Sequence, residues 1–169
     1  RITIKAGSAS KPYDGTPITS TEFSFISGSL AEGQKITLTC MGSQTEIGKS
    51  ANIIDKEGIA ITDANGNPIS KNNYDITCQD GILEILLRKL AITTNSETRD
   101  YNATELCGKE ATVDEISDRN DGLLDGHKLV YTLSGSIINV GKIDNEIASI
   151  DVVDQNGQSV KQYYDIDNI

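Results

Sequence analysis

Apolar and polar residues alternate with a period of two over much of this chain. Ile36, Leu38 and Cys40 are separated by Thr37 and Thr39, and Leu129, Tyr131 and Leu133 by Val130 and Thr132. Period two marks a strand with one buried face. Ile59 and Ile61 lead into Asp63-Ala64-Asn65-Gly66, and Ile69 follows. An Asn-Gly step between apolar runs predicts a hairpin, and Val152 to Val160 predicts a second one. Tyr74, Ile76 and Cys78 continue as a further strand. The most apolar run, Ile82 to Thr93 (ILEILLRKLAIT), admits helix on the propensities of its Leu, Glu, Arg, Lys and Ala residues. Two strands fit it better. Leu83, Ile85 and Leu87 share one face, and Leu90 and Ile92 share another after a break at Arg88-Lys89. Ala111 to Ile116 admits a turn or two of helix as an alternative to strand.

The strand reading of the apolar run rests on a repeat. Lys89-Leu90-Ala91-Ile92 copies Arg1-Ile2-Thr3-Ile4 at an offset of 88, and Arg99 to Leu106 (RDYNATEL) copies Lys11 to Ile18 (KPYDGTPI) at the same offset. Leu123 to Leu129 copies Leu30 to Ile36 at an offset of 93. So do Gly135-Ser136 on Gly42-Ser43, Val140-Gly141-Lys142 on Ile47-Gly48-Lys49, and Asn145 on Asn52. The additional residues precede Leu123, in the polar stretch Asp118 to Gly122, where a loop insertion costs little. Asp154 to Gly157 copies Asp63 to Gly66, and Tyr164-Asp165-Ile166 copies Tyr74-Asp75-Ile76 at an offset of 90. Apolar positions, glycines and tyrosines recur while surface residues differ, as expected of two copies of one backbone.

The reading is therefore two tandem units, 1–87 and 88–169, with almost no linker and hence stiff relative to one another. Each is expected to be a small all-β sandwich of Ig-like character, the two arranged end to end; β-grasp-like units with one short helix each are the alternative. The counterpart of Gly81-x-Leu83-x-Ile85 falls past Ile169, so the second unit is expected to lack its final strand and to be the weaker.

Composition narrows the function more than the fold. Apolar residues make up 37% of 169, with no Trp and two Phe, so each core is thin. The net charge of −10 disfavours nucleic acid and anionic membrane faces as partners. No run approaches the roughly 18 apolar residues of a membrane helix, so membrane insertion is not expected. The chain opens on Arg1 and reads as a piece cut from a longer protein. Three cysteines without a CxxC pair, and one His, exclude a zinc site on spacing and ligand count, and no cofactor is expected. Cys40 and Cys78 fall on core faces of different strands and are a disulfide candidate, with packed thiols as the alternative. Cys107 is read as an unpaired loop thiol.

Candidate chemistry is sparse. Asp14-Gly15 and Asn102-Ala103 read as turns anchored by Tyr13 and Tyr101 rather than as ligand loops. The Asp118 to Gly122 stretch hints at calcium, but Asn120 and Asp121 are adjacent where alternate oxygens are needed, so no metal is expected. Asp63, Asn65 and Asn67 do alternate, but the hairpin already explains them. His127 stands where the first copy has Gln34 and reads as an exposed turn residue; a lone His with no placed nucleophile makes no catalytic triad. Lys35 with Asn52, and Lys128 with Asn145, recur as a Lys–Asn isopeptide candidate, which the outward position of Lys35 disfavours. Direct ligand binding, if present, is expected at Asp118, Asn120 and Asp121 with Tyr163 and Tyr164.

These blocks resemble the tandem repeats of bacterial surface proteins known as MBG or Tyr-Asp-Gly-type adhesin repeats. Their Lys-x-Tyr-Asp-Gly-Thr motif is intact at Lys11, Tyr13, Asp14, Gly15 and Thr16, and their closing Gly-x-Leu-x-Ile at Gly81, Leu83 and Ile85. Gly122-Leu123 and Gly126-His127 match in the second copy, which has Asn102-Ala103 in place of Asp-Gly. The resemblance implies an extracellular, secreted or wall-attached bacterial protein. Its repeats would be non-enzymatic stalk or adhesive modules, monomeric and partnered by neighbouring repeats of the same chain. The alternatives are direct binding of a host glycan or protein, or an accessory role beside an extracellular enzyme.

Overall fold

The computed structural model describes residues 1–114 and 122–168. The chain divides into two compact units, Arg1–Leu86 and Leu87–Ile169. Both are all-β: the only helical elements among the described residues are two three-residue 3-10 turns, Lys71–Asn73 and Lys161–Tyr163. Among the described residues no helix is long and apolar enough to cross a membrane. Asp118, Asn120 and Asp121 lie outside the described residues.

In the first unit the strands are β1 (Ile2–Ala6), β2 (Ala9–Pro12), β3 (Phe23–Ser27), β4 (Lys35–Thr37), β5 (Gly48–Asn52), β6 (Ala60–Thr62), β7 (Pro68–Ile69), β8 (Ile76–Gln79) and β9 (Gly81–Leu86). β1 alternates as a half-buried strand should, with Ile2, Ile4 and Ala6 inward. It lies between β3, antiparallel, and β8, parallel. β9 lies between β2, parallel, and β5, antiparallel. β4, β6 and β7 form a third sheet that contains the Asn-Gly hairpin. The core gathers Ile2, Ile4, Ala6, Ile54 and Ile59, with Leu38, Tyr74 and Ile76 packed against them.

In the second unit the described strands are β10 (Arg88–Thr94), β11 (Leu106–Cys107), β12 (Ala111–Asp114), β13 (Lys128–Ser134), β14 (Ser136–Ile137), β15 (Glu146–Val153) and β16 (Tyr164–Asn168). Ladder after ladder repeats the first unit at the sequence offsets. Leu90 pairs with Ile166 as Ile2 pairs with Ile76. Ile92 pairs with Val113 as Ile4 pairs with Phe25. Leu129 faces Val152 as Ile36 faces Ile61, and Leu133 faces Ile147 as Cys40 faces Ile54. Leu106 faces Ile137 as Ile18 faces Gln44, and Val153 faces Ser159 as Thr62 faces Pro68. The two ladders of β9 are the exception: among the described residues they have no counterpart.

One local expectation needs correction. The break in the apolar run falls at Leu87, which is partly exposed rather than buried beside Leu83 and Ile85. Arg88 instead begins β10 and is buried, because its Nε donates to the Gly122 carbonyl at 2.6 Å and satisfies the guanidinium inside the unit. Ala111–Asp114 is strand, the reading preferred to the helical alternative, since it pairs along β10; residues 115 and 116 lie outside the described residues.

Leu83 is fully buried in β9. Truncation of a buried Leu removes transfer energy and leaves a cavity, costing about 2–5 kcal/mol. Leu83→Ala is expected to lower the hydrogen-exchange protection of β1 amides by that amount and to leave β10 amides unchanged.

Candidate functional site

The polar turns are committed to backbone. Asp14 Oδ1 accepts from the Thr16 amide at 2.9 Å and from the Thr16 hydroxyl at 2.7 Å, while Lys11 Nζ donates to it at 2.7 Å. Asn102 Oδ1 accepts the same pair from Thr104 at 3.1 and 2.8 Å, and Arg99 donates to the Thr104 carbonyl. Between them Gly15 has φ +77° and Ala103 φ +59°, Ala103 being the only non-glycine at positive φ among the described residues. Such a conformation strains an L side chain by roughly 1–2 kcal/mol. Hydrogen bonding from Lys11, and then from Thr16, holds the Asp14 carboxyl at about 2 against the ordinary 3.8.

Both hairpins open on an aspartate used in the same way. Asp63 Oδ1 accepts from the Asn65 and Asn67 amides, each at 2.8 Å, and Asp154 Oδ1 from the Asn156 and Gln158 amides at 2.8 and 2.9 Å. Asn67 holds the Asp63 carboxyl, and Gln158 the Asp154 carboxyl, below the usual carboxylate range. The alternating oxygens at 63–67 thus brace a turn.

Tyr164 is 6% exposed. Its hydroxyl accepts from the Leu124 amide at 3.1 Å and lies 2.7 Å from His127 Nδ1. Tyr74 does the same in the first unit, accepting from the Ala31 amide at 3.0 Å and donating to Gln34 Oε1 at 2.7 Å. His127 is therefore not an exposed turn residue. It is half-buried and replaces Gln34 as the tyrosine's partner, since a ring nitrogen and an amide oxygen reach the same point. Burial pushes the Tyr164 phenol up. Tyr163 is half-buried against the cluster that contains Tyr164. The hydroxyl of Tyr164, expected at a ligand, is spent inside the unit.

All three cysteines are free. Cys40 and Cys78 pack against one cluster, but register sets Cys40 opposite Ile54 and Cys78 beside Ile4, so neither thiol is the other's neighbour in a ladder and the candidate disulfide is not formed. Cys40 Sγ donates to the Glu22 carbonyl at 3.6 Å, and burial pushes its thiol up. Cys107 is exposed and lies in β11 rather than in a loop.

The feature that sequence reasoning did not foresee is an open groove of about 810 Å³ in the second unit. Residues 94–99 and 141–147 line it, together with Leu106 and Ile137. An adjoining cavity of about 130 Å³ shares Arg99, Leu106, Ile137 and Gly141 and adds Tyr101, Ile138 and Val140. Apolar surface is laid open here: Tyr101 is 63% and Val140 87% exposed, whereas their counterparts Tyr13 and Ile47 are half-buried. Asn145 stands at one end, its Nδ2 donating to the Asn95 carbonyl at 3.1 Å. Asn52, its counterpart, is fully buried and donates to the Gly7 and Ser20 carbonyls, both at 2.9 Å. The recurrence of this Asn was the available signal, and its work is to tie loop carbonyls together; Lys35 is exposed.

Ala103→Gly is expected to stabilise the second unit by about 0.5–1 kcal/mol in urea titration, because glycine relieves the positive φ. The folded value of Asp14 lies below its unfolded value. Its contribution is therefore present above about pH 4 and is lost as pH falls toward 2. Asp14→Asn, which can hold the turn as Asn102 does, is expected to flatten the acid dependence of first-unit stability in that window. No family model, curated protein or solved structure matches the chain.

Proposed function

We propose that this chain is a pair of repeat modules from a bacterial cell-surface or secreted protein, acting as a non-enzymatic stalk or spacer in adhesion. The observation that carries the reading is the return of one set of ladders, in one register, in both units. The side chains that recur with it hold backbone: Asp14 and Asn102, Asp63 and Asp154, Tyr74 and Tyr164. A stalk needs a copied frame and tolerates a varied surface. The intact Lys11 to Thr16 motif, with its salt-bridged turn, supports the resemblance to Tyr-Asp-Gly-type repeats. Of the two finer architectures, the parallel pairing of β1 with β8 and of β10 with β16 supports the grasp-like one, since Ig-like sheets are antiparallel.

Host-matrix proteins and a glycan array, probed with the 169-residue chain, test this reading. The expected result is no saturable binding to either. A saturable, competable signal on a glycan or a folded host protein would replace the spacer with a direct adhesive module.

A further inference from the structure

Asn102-Ala103-Thr104 is the only Asn-x-Ser or Asn-x-Thr step in the chain. Such a step is the acceptor pattern for a sugar linked to asparagine nitrogen, and it belongs on an accessible loop. All three residues are exposed. The Thr104 hydroxyl donates to Asn102 Oδ1 at 2.8 Å, and the Thr104 amide donates to the same oxygen at 3.1 Å. Asn102 Nδ2 has no hydrogen-bond partner among the described residues. The amide is thus held by its oxygen and presents its nitrogen.

The first unit has the same turn without an acceptor. Asp14 stands in the place of Asn102, and its Oδ1 takes the same two bonds from Thr16. Its Oδ2, where Asn102 carries Nδ2, is held by Lys11 Nζ at 2.9 Å. An ammonium and an amide NH2 both only donate, so a lysine could not hold Asn102 in that way. Arg99, the counterpart of Lys11, donates instead to the Thr104 carbonyl and leaves Nδ2 open. Asp14 and Thr16 are exposed too, in the unit that β9 closes. The exposure of Asn102 therefore belongs to the turn and does not depend on the groove.

We propose that Asn102 is an N-glycosylation acceptor, modified on the folded unit by a transferase that uses a sugar activated as its diphosphate. An amide nitrogen is a weak nucleophile, because its lone pair is delocalised into the carbonyl. A hydroxyl donated to the amide oxygen favours the imidate form, in which that pair is free, and Thr104 is placed to do this. Nδ2 attacks the anomeric carbon and forms the C–N bond. The C–O bond to the diphosphate breaks, and its electron pair leaves with the diphosphate. One Nδ2 proton passes to a base of the transferase, and nothing is oxidised or reduced. Oδ1 keeps both bonds from Thr104, so the turn survives the change. Transfer needs only a transferase that meets this turn, whether or not the units act as a spacer.

The test is tandem mass spectrometry of the protein isolated from the cells that naturally make it. Trypsin releases residues 100–109 as one peptide, and that peptide is expected to carry a sugar on Asn102. A single hexose would mark a nucleotide-sugar donor, and a preassembled oligosaccharide a lipid-diphosphate donor; either supports the site. In variants made by the same cells, Asn102→Gln and Thr104→Val should lose the sugar. Thr104→Ser, which keeps the hydroxyl, should retain it, and amide NMR of β10 should show the unit folded in all three. Lys11→Arg combined with Asp14→Asn copies the acceptor turn into the first unit, and should add a second sugar on the peptide of residues 6–35. The proposal is overturned by an unmodified 100–109 peptide in the natural protein, by a sugar that persists in Thr104→Val, or by a double variant that gains none.

Discussion

One strand, β9, closes the first unit by pairing on both of its edges. Without it β2 and β5 have no common partner, and the inward faces of Leu83 and Ile85 leave the core. Burying two such side chains contributes about 3–6 kcal/mol, a large share of the stability of a domain of this size. The constraint reaches down to single atoms. Gly81 must be glycine because its backbone passes against two carbonyls, and Ser8 is placed to take the amide that follows.

In the second unit the described residues contain no counterpart of that strand. The ladders of β10 with β12 and β16, and of β13 with β15, form in the registers of the first unit. The Tyr164 contacts and the turns led by Asn102 and Asp154 form too. The frame is thus not dictated by its closing strand. What changes lies beside the groove, where 97–100 and 141–145 are not strand and apolar side chains face outward.

Much of the all-β character was legible because it follows from period-two alternation and Asn-Gly turns, which act over a few residues. The repeat offsets carried further: they named which residues would share a role, and register pairs such as Leu90 with Ile166 fall where Ile2 with Ile76 does. What escaped was set by tertiary partners. Leu87 carries the apolar phase of β9, yet the strand ends before it, and the adjacent Arg88 is buried because Gly122 offers it a carbonyl. His127 resembles Gln34 only in reach, so a substitution that preserved a contact read as the loss of one. Asn52 and Asn145 satisfy loop carbonyls distant in sequence, which no local pattern announces. The parallel pairing of a unit's first strand with one some seventy residues later is likewise invisible to local periodicity.

The central claim is that the two units share a frame and differ in the ladder that β9 supplies. Amide hydrogen exchange on the 169-residue chain alone reads this directly, because exchange reports which backbone groups are held in ladders. The account predicts slow exchange across β2 and β5 together with fast exchange across 97–100 and 141–145, while β1 and β10 are both protected. Equal protection of β2 and 97–100, and of β5 and 141–145, would contradict it.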